Sequence, residues 1–338
     1  MRKNLKNYLL VLLSMFSIQL FAQTPIKFQL DWRFEGPAAF FLVPVEKGYF
    51  KQAGLDVTVD AGNGSGNAVN RVASGAYDMG FADFAALMEF YGNNPDAPNK
   101  PVALMVVYSN TPAAVLTLKS SGIKSPADMT GKKFGAPGFD AGRRSFPLFQ
   151  SANKVGPVTW ISMEPALRET MLAKGDLDAI TGFGFTSALN LEARGVKPED
   201  IISFPYPQYG VKLYGNVIIA TPKIIKENPA AVKAFLEAFT KGAKEVLANP
   251  DEAIKTVQRR DGIINVDLEK RRLKMAIKDA IATPDAKAEG FGSASLPRVA
   301  LMASQVSDVF NTKVRVNPDL VWNPAFLPSA ASRNILPK

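Results

Sequence analysis

The sequence predicts an α/β protein of two lobes, each a mostly parallel sheet flanked by helices, with a C-terminal helical segment returning to the first lobe. Three observations predict it. From residue 26 onward, short apolar runs alternate with longer helical ones, as repeated βαβ units require. A second series of the same kind opens near Ser120. Past residue 220 the strand signals stop, and proline-opened helical segments take over.

In chain order, residues 26–32 read as a strand, 38–50 as a helix bent at Pro44, 56–60 as a strand, 66–74 as a helix and 79–82 as a strand. Residues 84–91 follow as a helix and 102–108 as a strand. The second series runs strand 133–136, helix 142–154, strand 158–161, helix 165–174, strand 179–181 and helix 185–194. Segments 229–247, 250–260, 267–281 and 297–309 read as helices; Pro229, Pro250 and Pro297 sit in first turns, where a missing N–H costs nothing. Two extended apolar stretches, 113–118 and 213–220, lie where the chain would pass between lobes. That assigns 23–112 and 221–338 to lobe one and 113–220 to lobe two, with a hinge at the two crossings and a cleft able to close. No internal sequence repeat is visible.

Arg2, Lys3 and Lys6 precede an almost wholly apolar run over residues 8–21, and Phe21-Ala22-Gln23 supplies a small residue at a cleavage point. This is the layout of a secretory signal peptide, and the run is shorter than the ~20 residues of a membrane span. Cleavage before Gln23 is expected. The chain has no cysteine, so disulfides, thiol catalysis and a lipid-anchored N-terminus are excluded, and a free product in the periplasm is expected. It has no histidine either, which excludes a Ser-His-Asp triad, a histidine zinc site and a histidine general base. The formal charge is +9, and three of those positive charges lie in the leader, leaving +6. The charges are interspersed, whereas nucleic-acid binding needs a clustered basic face. Acidic residues show no metal-ligand spacing, so neither metal nor cofactor is expected. The Ser121-x-x-Lys124 pattern stands alone and reads as coincidence.

In open parallel sheets, ligands bind beyond the carboxyl ends of strands. That rule selects Trp32 and Phe34 after the first strand, then Ser65 and Gly66 in Gly62-Asn63-Gly64-Ser65-Gly66, where exposed N–H groups at a helix start suit an anion or form a simple capped turn. Asp83 follows the third strand as either a helix cap or a ligand acceptor. Thr111 ends the first lobe. In lobe two the rule selects Asp140, Arg143 and Arg144 at the start of the main helix, Phe183 and Thr186 after a later strand, and Tyr209 and Tyr214 before the return crossing. Arg143 and Arg144 stand at the positive end of a helix, where cations are unfavourable. One of them is therefore expected to grip a carboxylate or sulfonate, the alternative being a surface pair with Asp140 as local partner.

LDWRFEGPAAFF (30–41), KGYFKQAGLDVTV (47–59), GNGSGNAVNRVASGAYDMGFAD (62–83), SSGIKSPADMTGKKFGAPG (120–138) and ENPAAVKAFLEAFTKGAKEVLANPDEAI (227–254) together resemble the nitrate/sulfonate/taurine and thiamine-pyrimidine class of ABC-transporter substrate-binding proteins. The resemblance covers nearly the whole chain after the leader. It implies a class II-like periplasmic binding fold, a small organic ligand of sulfonate, carboxylate or pyrimidine type, and a membrane permease as partner to a monomer. The opening loop departs from the pattern. Pyrimidine-binding members usually carry Pro-Asn and a later histidine, where this chain has Phe34, Glu35 and Ala38. The family's yeast-type synthases spend a histidine and carry a cysteine-rich patch, and this chain has neither residue type. The rival expectations are an enzyme on the same scaffold using carboxylate or lysine chemistry, and a periplasmic ligand sensor.

Overall fold

Leu55–Asp60 buries Leu55, Val57 and Val59 and exposes Asp56 and Thr58, the alternation of a strand covered on one face. Met79–Asp83 and Asn216–Ala220 are buried at every position, as interior strands between helical layers must be. The computed structural model describes residues 23–337, so the leader expected over 1–22 lies outside the described residues. Its strands are β1 (Thr24–Gln29), β2 (Leu55–Asp60), β3 (Met79–Asp83), β4 (Val102–Val106), β5 (Ala113–Leu118), β6 (Lys133–Gly135), β7 (Thr159–Ile161), β8 (Ala179–Phe183), β9 (Ile201–Pro205) and β10 (Asn216–Ala220).

They form two five-stranded sheets, ordered β2-β1-β3-β10-β4 and β7-β6-β8-β5-β9. In each sheet one strand runs against both neighbours: β10 between β3 and β4, and β5 between β8 and β9. Those are the two strands that follow directly from the other sheet. The register gives the reason, since Asn216 at the start of β10 faces Asp83 at the end of β3, and Ala113 at the start of β5 faces Phe183 at the end of β8. Each crossing strand enters at the carboxyl edge of the other strands and therefore runs backwards through the sheet. The carboxyl edges of both sheets thus face one shared cleft. The two orders correspond position for position, a repeat of topology in a chain without a repeat of sequence.

Ten helices of seven residues or more cover the sheets among the described residues: α1 (Ala39–Glu46), α2 (Ser65–Ala73), α3 (Phe84–Asn93), α4 (Ala141–Asn153), α5 (Arg168–Lys174), α6 (Gly184–Glu192), α7 (Pro229–Ala248), α8 (Pro250–Arg260), α9 (Val266–Ala276) and α10 (Leu296–Val309). On one face of the first sheet α1, α7, α8 and α9 pack over an aromatic column. Phe28 lies 4.9 Å from Phe41 and 5.2 Å from Phe235, and Phe41 lies 4.9 Å from Phe81. On the other face lie α2, α3 and α10. Asn228-Pro229 and Asn249-Pro250 each close one helix and open the next, the asparagine side chains accepting from Ala231 N and Glu252 N. No described helix is long and apolar enough to cross a membrane.

The structure differs from the sequence reading at several points. The helix expected over 38–50 runs through Pro44 unbroken and stops before Gly48, whose φ of 70° favours glycine there. Gly242 of α7 admits Pro44, since a Cβ at Gly242 would stand 2.7 Å from the proline ring. β1 ends at Gln29, three residues early, and the return strand begins only at Asn216. The helix expected over 267–281 finishes as a π turn over Ile277–Ile281. β9 was not anticipated. It is an edge strand bracketed by Pro198 and Pro205, and its Ile201-Ile202-Ser203-Phe204 run shows no alternation of apolar and polar residues.

Candidate functional site

The site begins where β1 stops. Loop residues Asp31 and Trp32 are laced to the glycine segment by two backbone bonds, Gly64 N to Asp31 O (2.7 Å) and Gly62 N to Trp32 O (2.8 Å). A Cβ at Gly62 would stand 2.1 Å from Leu30 O, so glycine is what lets the two loops meet. Gly64, at φ 141°, lies against Phe139 of the opposite lobe, where a Cβ would come within 2.5 Å of the Phe139 carbonyl oxygen. The glycines therefore serve close approach, within lobe one and across the cleft, rather than an anion cradle.

Around this loop the two carboxyl edges enclose a pocket of about 570 Å³, open solvent included. Phe41 and Phe81 extend the aromatic column to its floor, and Tyr108, just past β4, stands edge-on to Phe81 at 5.2 Å. Lobe two contributes Phe183 and Phe185, 6.3 Å each from Tyr108. Trp32 faces the guanidinium of Arg168, 5.3 Å from the ring centroid. Arg168 is 1% exposed and bonds Asp140 Oδ2 (2.9 Å), Glu169 Oε1 (2.9 Å) and Thr181 O (3.2 Å). Burial raises the Asp140 carboxyl above its ordinary value, against the pull of Arg168 and the Arg143 amide.

Asp31 also lines the pocket, and its carboxylate accepts from Asn216 Nδ2 at 2.7 Å. Burial pushes it up to about 7, opposed by Asn216 and reinforced by the charges of Asp83 and Glu35. Two polar atoms on residues of the wall, Trp32 Nε1 and Ser65 Oγ, are buried without a hydrogen-bond partner among the described residues, each at a cost in free energy.

The lobes are tied on both sides of the pocket. On one side Thr186 Oγ1 donates to Glu35 Oε2 (2.9 Å), and Arg272 of α9 donates to the carbonyls of Phe185 (3.2 Å) and Thr186 (2.9 Å) and to Asn190 Oδ1 (2.9 Å). On the other, Arg144 holds Glu89 of α3 bidentately at 2.7 and 2.9 Å.

Of the residues selected from the sequence, the pocket wall brings together Trp32, Ser65, Asp140, Phe183 and Thr186. The others stand elsewhere. Phe34 packs on the core under Arg260, and Gly66 lies against Phe139 and Arg144. Asp83 is 2% exposed and caps α3 through Ala86 N (3.0 Å). Thr111 sits in the crossing segment, bonding Ala113 N at 3.3 Å. Arg143 turns outward to Ala136 O, Ser162 Oγ and the Trp160 ring. Tyr209 packs on Phe149 and Phe204, and Tyr214 bonds Glu289 and Ser295. Neither Arg143 nor Arg144 reaches the pocket. The first turn of α4 directs one to its own lobe's rim and the other across the cleft to Glu89, and the guanidinium at the wall belongs to Arg168. The same strand-end rule applied to the loop after β7 would have found Arg168. Asp31 shares with Trp32 the end of the stretch read as the first strand, where only the aromatic was selected, and Phe41, Phe81 and Tyr108 read as core because they are core as well as floor.

The family described as NMT1/THI5 like matches residues 37–253. The formylaminopyrimidine-binding protein of Halalkalibacterium halodurans is 27% identical over 237 residues, 68% of this chain and 68% of that protein. A 4-amino-5-hydroxymethyl-2-methylpyrimidine phosphate synthase of Legionella pneumophila is 25% identical over 178 residues, 52% of this chain and 56% of that one. Among solved structures, the alkanesulfonate-binding protein SsuA from Xanthomonas axonopodis pv. citri bound to MOPS superposes with a TM-score of 0.67 at 15% identity, over 89% of this chain and 96% of that chain. Identity that low carries the fold alone, and the fold is that of periplasmic binding proteins.

Proposed function

Because the chain belongs to the NMT1/THI5 like family, we propose that it is the ligand-capturing component of an ABC importer, a periplasmic monomer that closes its lobes over a small aromatic solute and presents it to a permease. The lobes are residues 23–112 with 221–338, and 113–220, turning about the two crossings. The observation that carries the reading is the pocket itself: aromatic walls from both lobes, lined also by Trp32 and Ser65, whose Nε1 and Oγ have no hydrogen-bond partner among the described residues. Such walls suit a flat ring that stacks and takes a few directed hydrogen bonds. A sulfonate or carboxylate head would need an unspent cation; of the two arginines that line the pocket, Arg168 is already held by Asp140 and Glu169, and Arg33 is exposed to solvent. The formylaminopyrimidine-binding relative supports a heterocycle. The synthase relative does not redirect the reading, because this chain has no histidine and no cysteine to spend as the yeast-type enzymes do.

Calorimetry with formylaminopyrimidine and with taurine tests the proposal. The heterocycle is expected to bind and taurine not. Trp32→Ala is expected to weaken binding by ~1–3 kcal/mol, the worth of an aromatic stack on a base. Tight taurine binding without heterocycle binding, or a Trp32→Ala variant of wild-type affinity, would overturn it.

A further inference from the structure

We infer that Asp31 reads the charge of the ligand: its carboxylate takes an N–H or cationic nitrogen, so the cleft captures amine- or amidine-bearing rings and turns carboxylates and sulfonates away. The inference rests on the cleft being the ligand site, and it goes further in assigning one residue the choice of ligand charge.

The acids of the wall differ in how they are compensated. Asp140 has Arg168 at 2.9 Å. Glu35 accepts from Thr186 and has Arg272 at 3.5 Å. Asp31 has the neutral amide of Asn216 at 2.7 Å and no ion pair among the described residues. The groups that face it make matters worse. From β3 comes Asp83, from its own loop Glu35, and from beyond β4 Tyr108, whose hydroxyl is pushed well above its ordinary value by burial, then by Asp31 and Glu35. Arg33, two residues on, lines the pocket but is exposed to solvent, and Arg168 faces Trp32 with its charge spent on Asp140 and Glu169.

A carboxylate in this position lacks a positive partner, which a ligand nitrogen supplies on arrival. The same two loops carry Trp32 Nε1, which can only donate, and Ser65 Oγ, both without a partner among the described residues. A ligand that satisfies all three offers a donor edge and an acceptor edge on one ring, the chemistry of an amino-substituted nitrogen heterocycle. An anion arriving here would meet the buried Asp31 and, of the lining cations, Arg168 already paired and Arg33 out in solvent.

The same geometry links capture to protons. With its carboxyl at about 7 before ligand arrives, Asp31 is ionised and competent above that pH and protonated below it, so affinity falls on acidification.

The test is calorimetry with four aromatic probes: benzamidine, which stays cationic across the range, 4-aminopyrimidine, benzoate and benzenesulfonate. The proteins are the wild type, Asp31→Asn and Trp32→Ala, with thermal melts to confirm that each variant folds. Benzamidine and 4-aminopyrimidine are expected to bind the wild type, and the two anions not. Benzamidine affinity is expected to drop about 30-fold between about pH 8 and about pH 5.5, the fall in the ionised fraction of a carboxyl near 7. In Asp31→Asn the pH 8 affinity is expected to fall by a similar factor and the profile to flatten. The inference is overturned if Asp31→Asn binds benzamidine as the wild type does, if either anion binds more tightly than benzamidine, or if none of the four binds the wild type. Failure of the cleft as the site looks different: probes would bind, and Trp32→Ala would bind each of them with unchanged affinity.

Discussion

Replacing Arg272 with alanine is expected to be the most damaging single truncation at the junction of the lobes. The side chain is 1% exposed. It holds both oxygens of Glu269, at 2.9 and 3.1 Å, and lies 3.5 Å from Glu35. From the same guanidinium it bonds Phe185 O, Thr186 O and Asn190 in the other lobe. Glu269 in turn accepts from Gly36 N at 2.5 Å. Alanine would strand two carboxylates and two carbonyls in the interior, a loss of ~3–5 kcal/mol by the usual cost of breaking a buried pair. Arg144→Ala breaks the other inter-lobe pair, but Arg144 and Glu89 are 33% and 16% exposed. Water can take over both charges there, so ~1 kcal/mol or less is expected. At ~2–4 °C per kcal/mol, the Arg272 variant should melt on the order of 10 °C lower and the Arg144 variant only about 2 °C lower. Burial already raises the Glu269 carboxyl against the pull of Arg272. Without the arginine that carboxyl rises further, so the deficit should be full near neutrality and shrink as pH falls and Glu269 takes its proton. Thermal melts of the wild type and both variants, at neutral and acid pH, measure this. Equal losses in the two variants, or an Arg272→Ala deficit below about 1 kcal/mol, would refute the assignment of a buried inter-lobe tie.

Two further outcomes follow from other parts of the molecule. Asp83 is pushed up to about 7, chiefly by burial, so the folded state holds its proton through a range where the unfolded chain has lost it; its contribution to stability is full below the unfolded value and lost as pH rises through about 7. Asp83→Asn, which keeps an α3 cap, should be more stable than the wild type at about pH 8 by on the order of 2–4 kcal/mol, with the gain vanishing towards about pH 4; urea denaturation at both pH values reads it, and a pH-independent difference would contradict the burial argument. For export, N-terminal sequencing of protein from a periplasmic extract should begin at Gln23, and an intact Met1 on membrane-bound material would contradict the leader.

Much of this protein was determined by the sequence alone because the relevant forces are local. The alternation of strand and helix follows from apolar periodicity, the Asn-Pro helix junctions follow from capping, and the exclusion of histidine and thiol chemistry follows from composition. The strand-end rule was enough to place Trp32, Ser65, Asp140, Phe183 and Thr186 on one pocket wall, since the direction of a strand decides which of its loops faces the cleft. What only the tertiary structure decided is which charge is compensated and by whom. Arg144 and Arg168 look alike in a sequence. One meets Glu89, 55 residues away, across the cleft, and the other meets Asp140, 28 residues away, in the wall. Asp31 is left with Asn216, 185 residues away. The same holds for Phe41, Phe81 and Tyr108, whose apolar character announces burial but not that the buried column ends at a pocket. Pairing of this kind depends on how two sheets of separate origin approach each other, and a guanidinium or carboxylate carries no local period that would record it.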